Sequence, residues 1–202
     1  MTPLIESHQA RSFYLNDQEF SQLYPDPIQQ IDSLHWTPLA IAAETARYLV
    51  NGKICKILDI GSGVGKFCLA AAQFEPLSFF YGVEQRENLV HLSGLAKKKL
   101  GIENVEFIHK NFTQINLGDF DAFYFYNSFY ENIPGAERID DTLAYSLDLY
   151  HYYCRYLYIQ LGHLPARTRL ATYCSWGEEI PEEYVLVESQ FHGLLKFWEK
   201  TT

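Results

Sequence analysis

An apolar run, Ile57-Leu58-Asp59-Ile60, ends where glycine recurs at alternate positions, Gly61, Gly63 and Gly65, before Phe67-Cys68-Leu69-Ala70-Ala71-Ala72 opens a helical pattern. A buried strand that must turn tightly into a helix has this signature, and it limits the chain to folds built on a strand-turn-helix unit. Glycine at alternate positions permits positive φ and lets backbone approach a ligand with no Cβ between them. The N–H groups at a helix start favour anionic or carboxylate groups. A dinucleotide turn places its third glycine one residue later, where Lys66 stands, so the spacing here is D-x-G-x-G-x-G. A tight turn without a ligand is the plainer alternative.

The next pattern narrows the ligand. Ser78 to Val83 reads as a second buried strand, with Glu84 directly after it and Gln85 beside that. A carboxylate at a strand end can accept hydrogen bonds from both hydroxyls of a ribose. The order strand, glycine turn, helix, strand, acid therefore points to a nucleoside cofactor.

Asp59, Gly61, Ser62, Gly63 and Gly65 together resemble motif I of the class I S-adenosylmethionine (SAM) methyltransferases. In that family the turn passes under the methionine and ribose parts of the cofactor. The resemblance implies a Rossmann-like fold and SAM as cofactor.

The chain is 202 residues long, 48% hydrophobic and 16% aromatic, enough for one ordinary domain with a full core. A net charge of -9 argues against a nucleic-acid partner, because sequence-independent affinity for nucleic acid comes mainly from clustered Lys and Arg. The one basic run, Lys97-Lys98-Lys99, falls at the end of a helical pattern, where cations offset the helix dipole. Cys55, Cys68, Cys154 and Cys174 lack C-x-x-C spacing and read as reduced packing residues. There is no secretory leader pattern and no apolar run of about 18 residues, so neither secretion nor a membrane partner is expected. A cytoplasmic protein is the expectation, and oligomeric state is left open.

Taken in order, residues 1–36 read as an N-terminal extension or lid containing one short helix, capped by Asn16 and ended by Pro25 and Pro27. Residues 37–202 read as the cofactor-binding domain. Thr37 is expected to cap a helix that begins at Pro38, and the extension would lay Trp36 and Thr37 near the methionine end of the cofactor. Strands follow at 78–83, 105–109 and 119–126, then a helix from about Asp141 to Gly162 on which His151 packs, then three more strands. The expected fold is α/β: a seven-stranded, mostly parallel sheet with helices on both faces and an antiparallel edge.

Asn111 and Phe112 end the third strand, where such methyltransferases commonly contact the adenine. The fourth strand ends in Asn127-Ser128-Phe129-Tyr130-Glu131. This segment is similar to the Asn-Asn-Phe of non-SET histone-lysine methyltransferases, and it keeps the Asn and Tyr of the N-P-P-Y motif of amino-group methyltransferases. The chain as a whole more closely resembles bacterial methyltransferase-like proteins of unassigned substrate. The resemblance implies that Asn127 holds the acceptor beside the cofactor, that Tyr130 stacks on it, and that Glu131 can take a proton. The expected acceptor is a small molecule or protein, with an amine as the candidate group. The alternative function is a SAM-binding or interaction module without catalysis.

Overall fold

The structure is a computed structural model that describes residues 16–30 and 36–202; residues 1–15 and 31–35 of the expected extension lie outside them. Seven strands form one sheet in the order β3-β2-β1-β4-β5-β7-β6. They are β1 (Lys56–Ile60), β2 (Phe79–Glu84), β3 (Val105–His109), β4 (Ala122–Tyr126), β5 (Arg169–Tyr173), β6 (Tyr184–Gln190) and β7 (Leu195–Lys200). The first five are mutually parallel, and β7 runs antiparallel to both β5 and β6. Chain order reverses direction beside β1, so the carboxyl ends of β1 and β4 diverge and open a crevice there.

The described helices are α1 (Asp17–Ser21), α2 (Asp26–Gln29), α3 (Leu39–Val50), α4 (Lys66–Phe74), α5 (Glu87–Leu100) and α6 (Leu147–Gly162). Strand alternation sends Ile57 and Tyr124 to one face, where they pack with α3, α4 and α5. Leu58, Ile60, Phe123 and Phe125 go to the other face and pack with Tyr150, Cys154, Leu157 and Leu161 of α6.

Several element boundaries differ from the sequence expectation, each for a local reason. Thr37 does not cap α3: Pro38 holds the cap position, and the Thr37 hydroxyl is bonded to the Tyr124 hydroxyl at 2.9 Å. Pro27 sits in the first turn of α2, where its missing N–H costs nothing, and does not end a helix. The fourth strand begins only at Ala122, because Asn116 caps a 3₁₀ turn at Leu117–Asp119. Ser146, whose hydroxyl accepts from Leu149 N–H at 3.1 Å, starts α6 five residues after Asp141. His151 is exposed on α6, its ring edge-to-face with Tyr150 at 5.6 Å between centroids and not in the core.

The described part of the extension is docked on the glycine turn. Phe20, Tyr24 and Trp36 are buried in the core, and the Tyr24 hydroxyl donates to the Val64 carbonyl at 2.8 Å. Lys66 opens α4 as a buried cation at a helix N-terminus, an unfavourable place for positive charge. Asp17 of α1 offsets it with an ion pair at 2.5 Å while also accepting from Leu39 N–H.

Candidate functional site

The glycine turn is held by its own N–H groups. Gly61 and Ser62 both donate to the Val83 carbonyl, at 2.9 and 3.0 Å, Gly63 donates to Glu84 Oε2 at 3.1 Å, and Gly65 donates to the Ser62 carbonyl. This follows from the pairing of Ile60 with Val83, which carries the turn directly over the end of β2. These turn donors are therefore engaged inside the protein and are distinct from the N–H groups at the start of α4, which the sequence expectation concerned. A pyrophosphate cradle would need the turn donors, so the geometry favours a nucleoside.

Two of the glycines have different duties. A Cβ on Gly61, at φ 77°, would lie 2.5 Å from the Ser128 Cβ, so Gly61 lets the loop after β4 close onto the end of β1. There the Ser128 hydroxyl donates to the Ile60 carbonyl. A Cβ on Gly65, at φ 80°, would meet the Phe107 ring at 2.3 Å. Gly65 thus serves packing against β3 and lines neither cavity.

The main cavity, about 160 Å³, opens at the carboxyl ends of β1, β2 and β4. Gly61, Gly63, Glu84, Gln85, Phe112, Asn127, Tyr130 and Glu131, all expected site residues, line it. Phe112 stacks on Phe129 with centroids 4.9 Å apart and meets Tyr153 edge-on, which makes one wall a flat apolar surface suited to an adenine-like ring. Asn111 is not in the wall. Its amide caps the 3₁₀ turn at Phe112–Gln114 and donates to Gln85 Oε1 and the Tyr153 hydroxyl, so it positions cavity residues from behind.

A smaller cavity of about 20 Å³ lies across Gly61, lined by Trp36, Thr37, Asp59, Ser62 and Lys66 among others; Tyr126 borders both. Asp59 is buried there and accepts the Cys68 thiol at 3.7 Å. Burial pushes its pKa up from 3.8 to about 8, with Glu84 adding to the rise against the thiol's opposing effect. The Ser62 hydroxyl in the same wall is buried and has no hydrogen-bond partner among the described residues. A buried acid with no ion pair among the described residues and an orphaned hydroxyl fit a ligand end that carries an ammonium and hydrogen-bonding groups.

Arg86 is the residue sequence reasoning missed. Its backbone N–H donates to Glu84 Oε1 at 2.9 Å, and its guanidinium reaches Glu84 at 3.5 Å, Glu131 at 2.6 Å and Asp140 at 3.3 Å. It also donates to the Tyr145 hydroxyl at 2.6 Å. Glu131 Oε2 accepts in addition from Ile139 N–H at 3.0 Å. Glu131 is thus a structural tie to the 131–146 loop, whose Glu137 and Ile139 line the cavity, and a proton-accepting role fits it poorly. Burial lowers the Arg86 pKa, but the three carboxylates and the Tyr145 hydroxyl outweigh it, holding the charge firmly in place.

The sheet order and the nucleoside-shaped crevice define a class I methyltransferase fold. A family model described as a methyltransferase domain matches residues 51–132. A tRNA (guanine-N(7)-)-methyltransferase of Synechococcus sp. (strain JA-3-3Ab) is 46% identical over 54 residues, 27% of this chain and 23% of that protein. The chain thus spans about a quarter of the length of the curated relatives it matches. An RNA methyltransferase from Salinibacter ruber in complex with S-adenosyl-L-homocysteine superposes with a TM-score of 0.54, at 17% identity over 88% of this chain and 93% of that one. A SAM-dependent O-methyltransferase from Thermotoga maritima gives a TM-score of 0.55, at 19% identity over 88% and 72%. The chain shares the fold of the class I SAM-dependent methyltransferases and carries a methyltransferase-domain match over residues 51–132.

These relatives overturn the expectation that nucleic acid is excluded as a partner, since proteins named for tRNA share sequence with this one. The charge argument failed because net charge bounds the affinity of a broad phosphate-binding face. It says little about a pocket that takes a single base. Among the described residues no helix is long and apolar enough to cross a membrane.

Proposed function

We propose that the protein transfers a methyl group from SAM to a nucleobase nitrogen of RNA. The observation that carries the transfer reading is that one cavity is lined both by the Gly61-Gly63-Glu84 turn and by Asn127 and Tyr130 of the loop after β4. A cofactor on the turn and an acceptor on the loop would share a wall. The tRNA-directed names of the relatives support RNA as the acceptor.

SAM supplies an already activated methyl group on its sulfonium. The residues of this chain then need to hold, orient and keep water out. In this reading Glu84 accepts from the ribose hydroxyls, Phe112 and Gln85 border the adenine, and Asp59, Ser62 and Thr37 surround the methionine end. Asn127 hydrogen-bonds the edge of the acceptor base through its amide, and Tyr130 borders the acceptor. The described part of the extension acts as a lid, a reading supported by the docking of Tyr24 and Asp17 on Val64 and Lys66. The free thiols among the described residues suit a reducing, cytoplasmic setting.

Calorimetry with SAM, followed by transfer of labelled methyl to small RNA, tests the proposal. Glu84→Ala is expected to weaken SAM binding by about 1.5 to 3 kcal/mol, since a charged acceptor shared by two hydroxyls is lost. Affinity unchanged within about twofold would sink the ribose assignment. Tight SAM binding with no transfer to RNA, protein or small amines would favour a binding module.

Asp59 gives the reading a pH signature. With its folded pKa near 8 and its ordinary value at 3.8, the folded protein binds more protons than the unfolded one between about pH 4 and 8. Stability of the ligand-free protein should therefore fall as pH rises through that window, and Asp59→Asn should flatten the slope. A cationic ligand end beside Asp59 would expel the proton. SAM binding at pH 7 should accordingly release up to one proton, read by calorimetry in buffers of different ionisation enthalpy, and Asp59→Asn should abolish the release.

A further inference from the structure

The loop after β5 displays a tryptophan beside the cavity. Trp176 is 63% exposed, yet its ring meets the ring of Tyr130, a cavity-lining residue, edge to face with centroids 6.0 Å apart. The display is rigidly built. On one side of Trp176, Ser175 is buried, donates to the buried Glu179 carboxylate and accepts from Gly177 N–H at 2.9 Å. Ile180 N–H returns to the Gly177 carbonyl, and Cys174 N–H is tied to Leu194 on the way to β7. Burying Glu179 and Ser175 to hold a turn whose one large side chain faces water is a poor use of packing unless that side chain has a partner.

The placement suggests what the partner is. β4 and β5 pair in register at Tyr126 and Tyr173, whose rings lie 4.7 Å apart, so the loops leaving these strands stand side by side at the crevice. Tyr126, Tyr130 and Trp176 thus follow the rim on the Asn127 side of the cavity. Two rings at 80° make a corner, in which a flat heterocycle can stack on one ring and touch the edge of the other.

Resting on the RNA reading above, we infer that Trp176 is the platform on which the acceptor nucleobase stacks, against the edge of Tyr130 and within reach of the cavity. The net charge of -9 sharpens this. With acidic charge in excess, pairing of phosphates contributes less and base stacking correspondingly more, which suits an unpaired or extruded base.

The test titrates a five-nucleotide single-stranded RNA containing one guanine into the S-adenosylhomocysteine-bound protein, read by tryptophan fluorescence and by anisotropy of a labelled RNA. Trp176→Ala should weaken binding about tenfold to a hundredfold, and Trp176→Phe should restore it to within a few-fold. An oligomer abasic at the guanine should bind wild type and Trp176→Ala alike. Because Trp176 is exposed, both variants should melt with wild type. If RNA binds Trp176→Ala as tightly as wild type, the platform is refuted while the RNA reading stands. If no RNA binds wild type but tyramine quenches Trp176, the RNA reading falls and with it the nucleobase platform.

Discussion

Arg86→Met should lower the free energy of unfolding by about 3 to 5 kcal/mol at pH 7, read by urea denaturation, and should weaken SAM binding in parallel. The guanidinium is surrounded by Glu84, Glu131 and Asp140, and the first two are almost fully withdrawn from water. Methionine fills much of the same volume, so little of the loss comes from a cavity. What remains is a pair of buried carboxylates with no cation, and their desolvation is then uncompensated. In wild type Asp140 carries a pH dependence of its own: partial burial raises its pKa, but the Thr142 hydroxyl and N–H and the Arg86 cation outweigh that and depress it, so its contribution is full at neutral pH and fades on acidification. Adding Glu131→Leu to Arg86→Met should recover part of the stability but not the SAM affinity, since the 131–146 loop would still be untied from β2. A loss below about 1 kcal/mol would mean that these pairs behave as exposed ones.

The contrast between Arg86 and the glycine turn shows what this sequence discloses. Gly61, Gly63 and Glu84 could be placed beforehand because each requirement is local: a turn with positive φ next to one strand end, and an acid next to another. The parallel sheet was legible for the same reason, since strands apolar on both faces alternate with amphipathic helices. Arg86 was not legible, because its partners Glu131 and Asp140 lie 45 and 54 residues away and nothing nearby distinguishes it from a solvated charge. Asn111 was misjudged for the converse reason. Position at a strand end suggested a ligand, but a side chain with both donor and acceptor groups satisfied a 3₁₀ cap and Gln85 first. Trp176 carried no signal at all until the fold set the loop after β5 beside the loop after β4.

Asn127 is where local backbone and proposed chemistry meet. It leaves β4 with φ 41°, in the left-handed region that asparagine tolerates better than most residues, and its carbonyl accepts from Tyr130 N–H at 3.0 Å to close the turn. Its side chain lines the main cavity and makes no hydrogen bond among the described residues. Asn127→Ala removes the amide but also places a Cβ residue of lower left-handed tolerance there, so about 1 kcal/mol of stability should go with it. Asn127→Gly removes the amide while accommodating the positive φ, and it separates the two effects. With glycine, thermal stability and SAM affinity should stay near wild type while turnover falls roughly 10²-fold, because an amide that orients the acceptor base acts chiefly in the transition state. Loss of SAM binding in step with turnover would assign Asn127 to the cofactor side of the cavity instead. Unchanged turnover in the glycine variant, with only the alanine variant impaired, would reduce Asn127 to a turn residue.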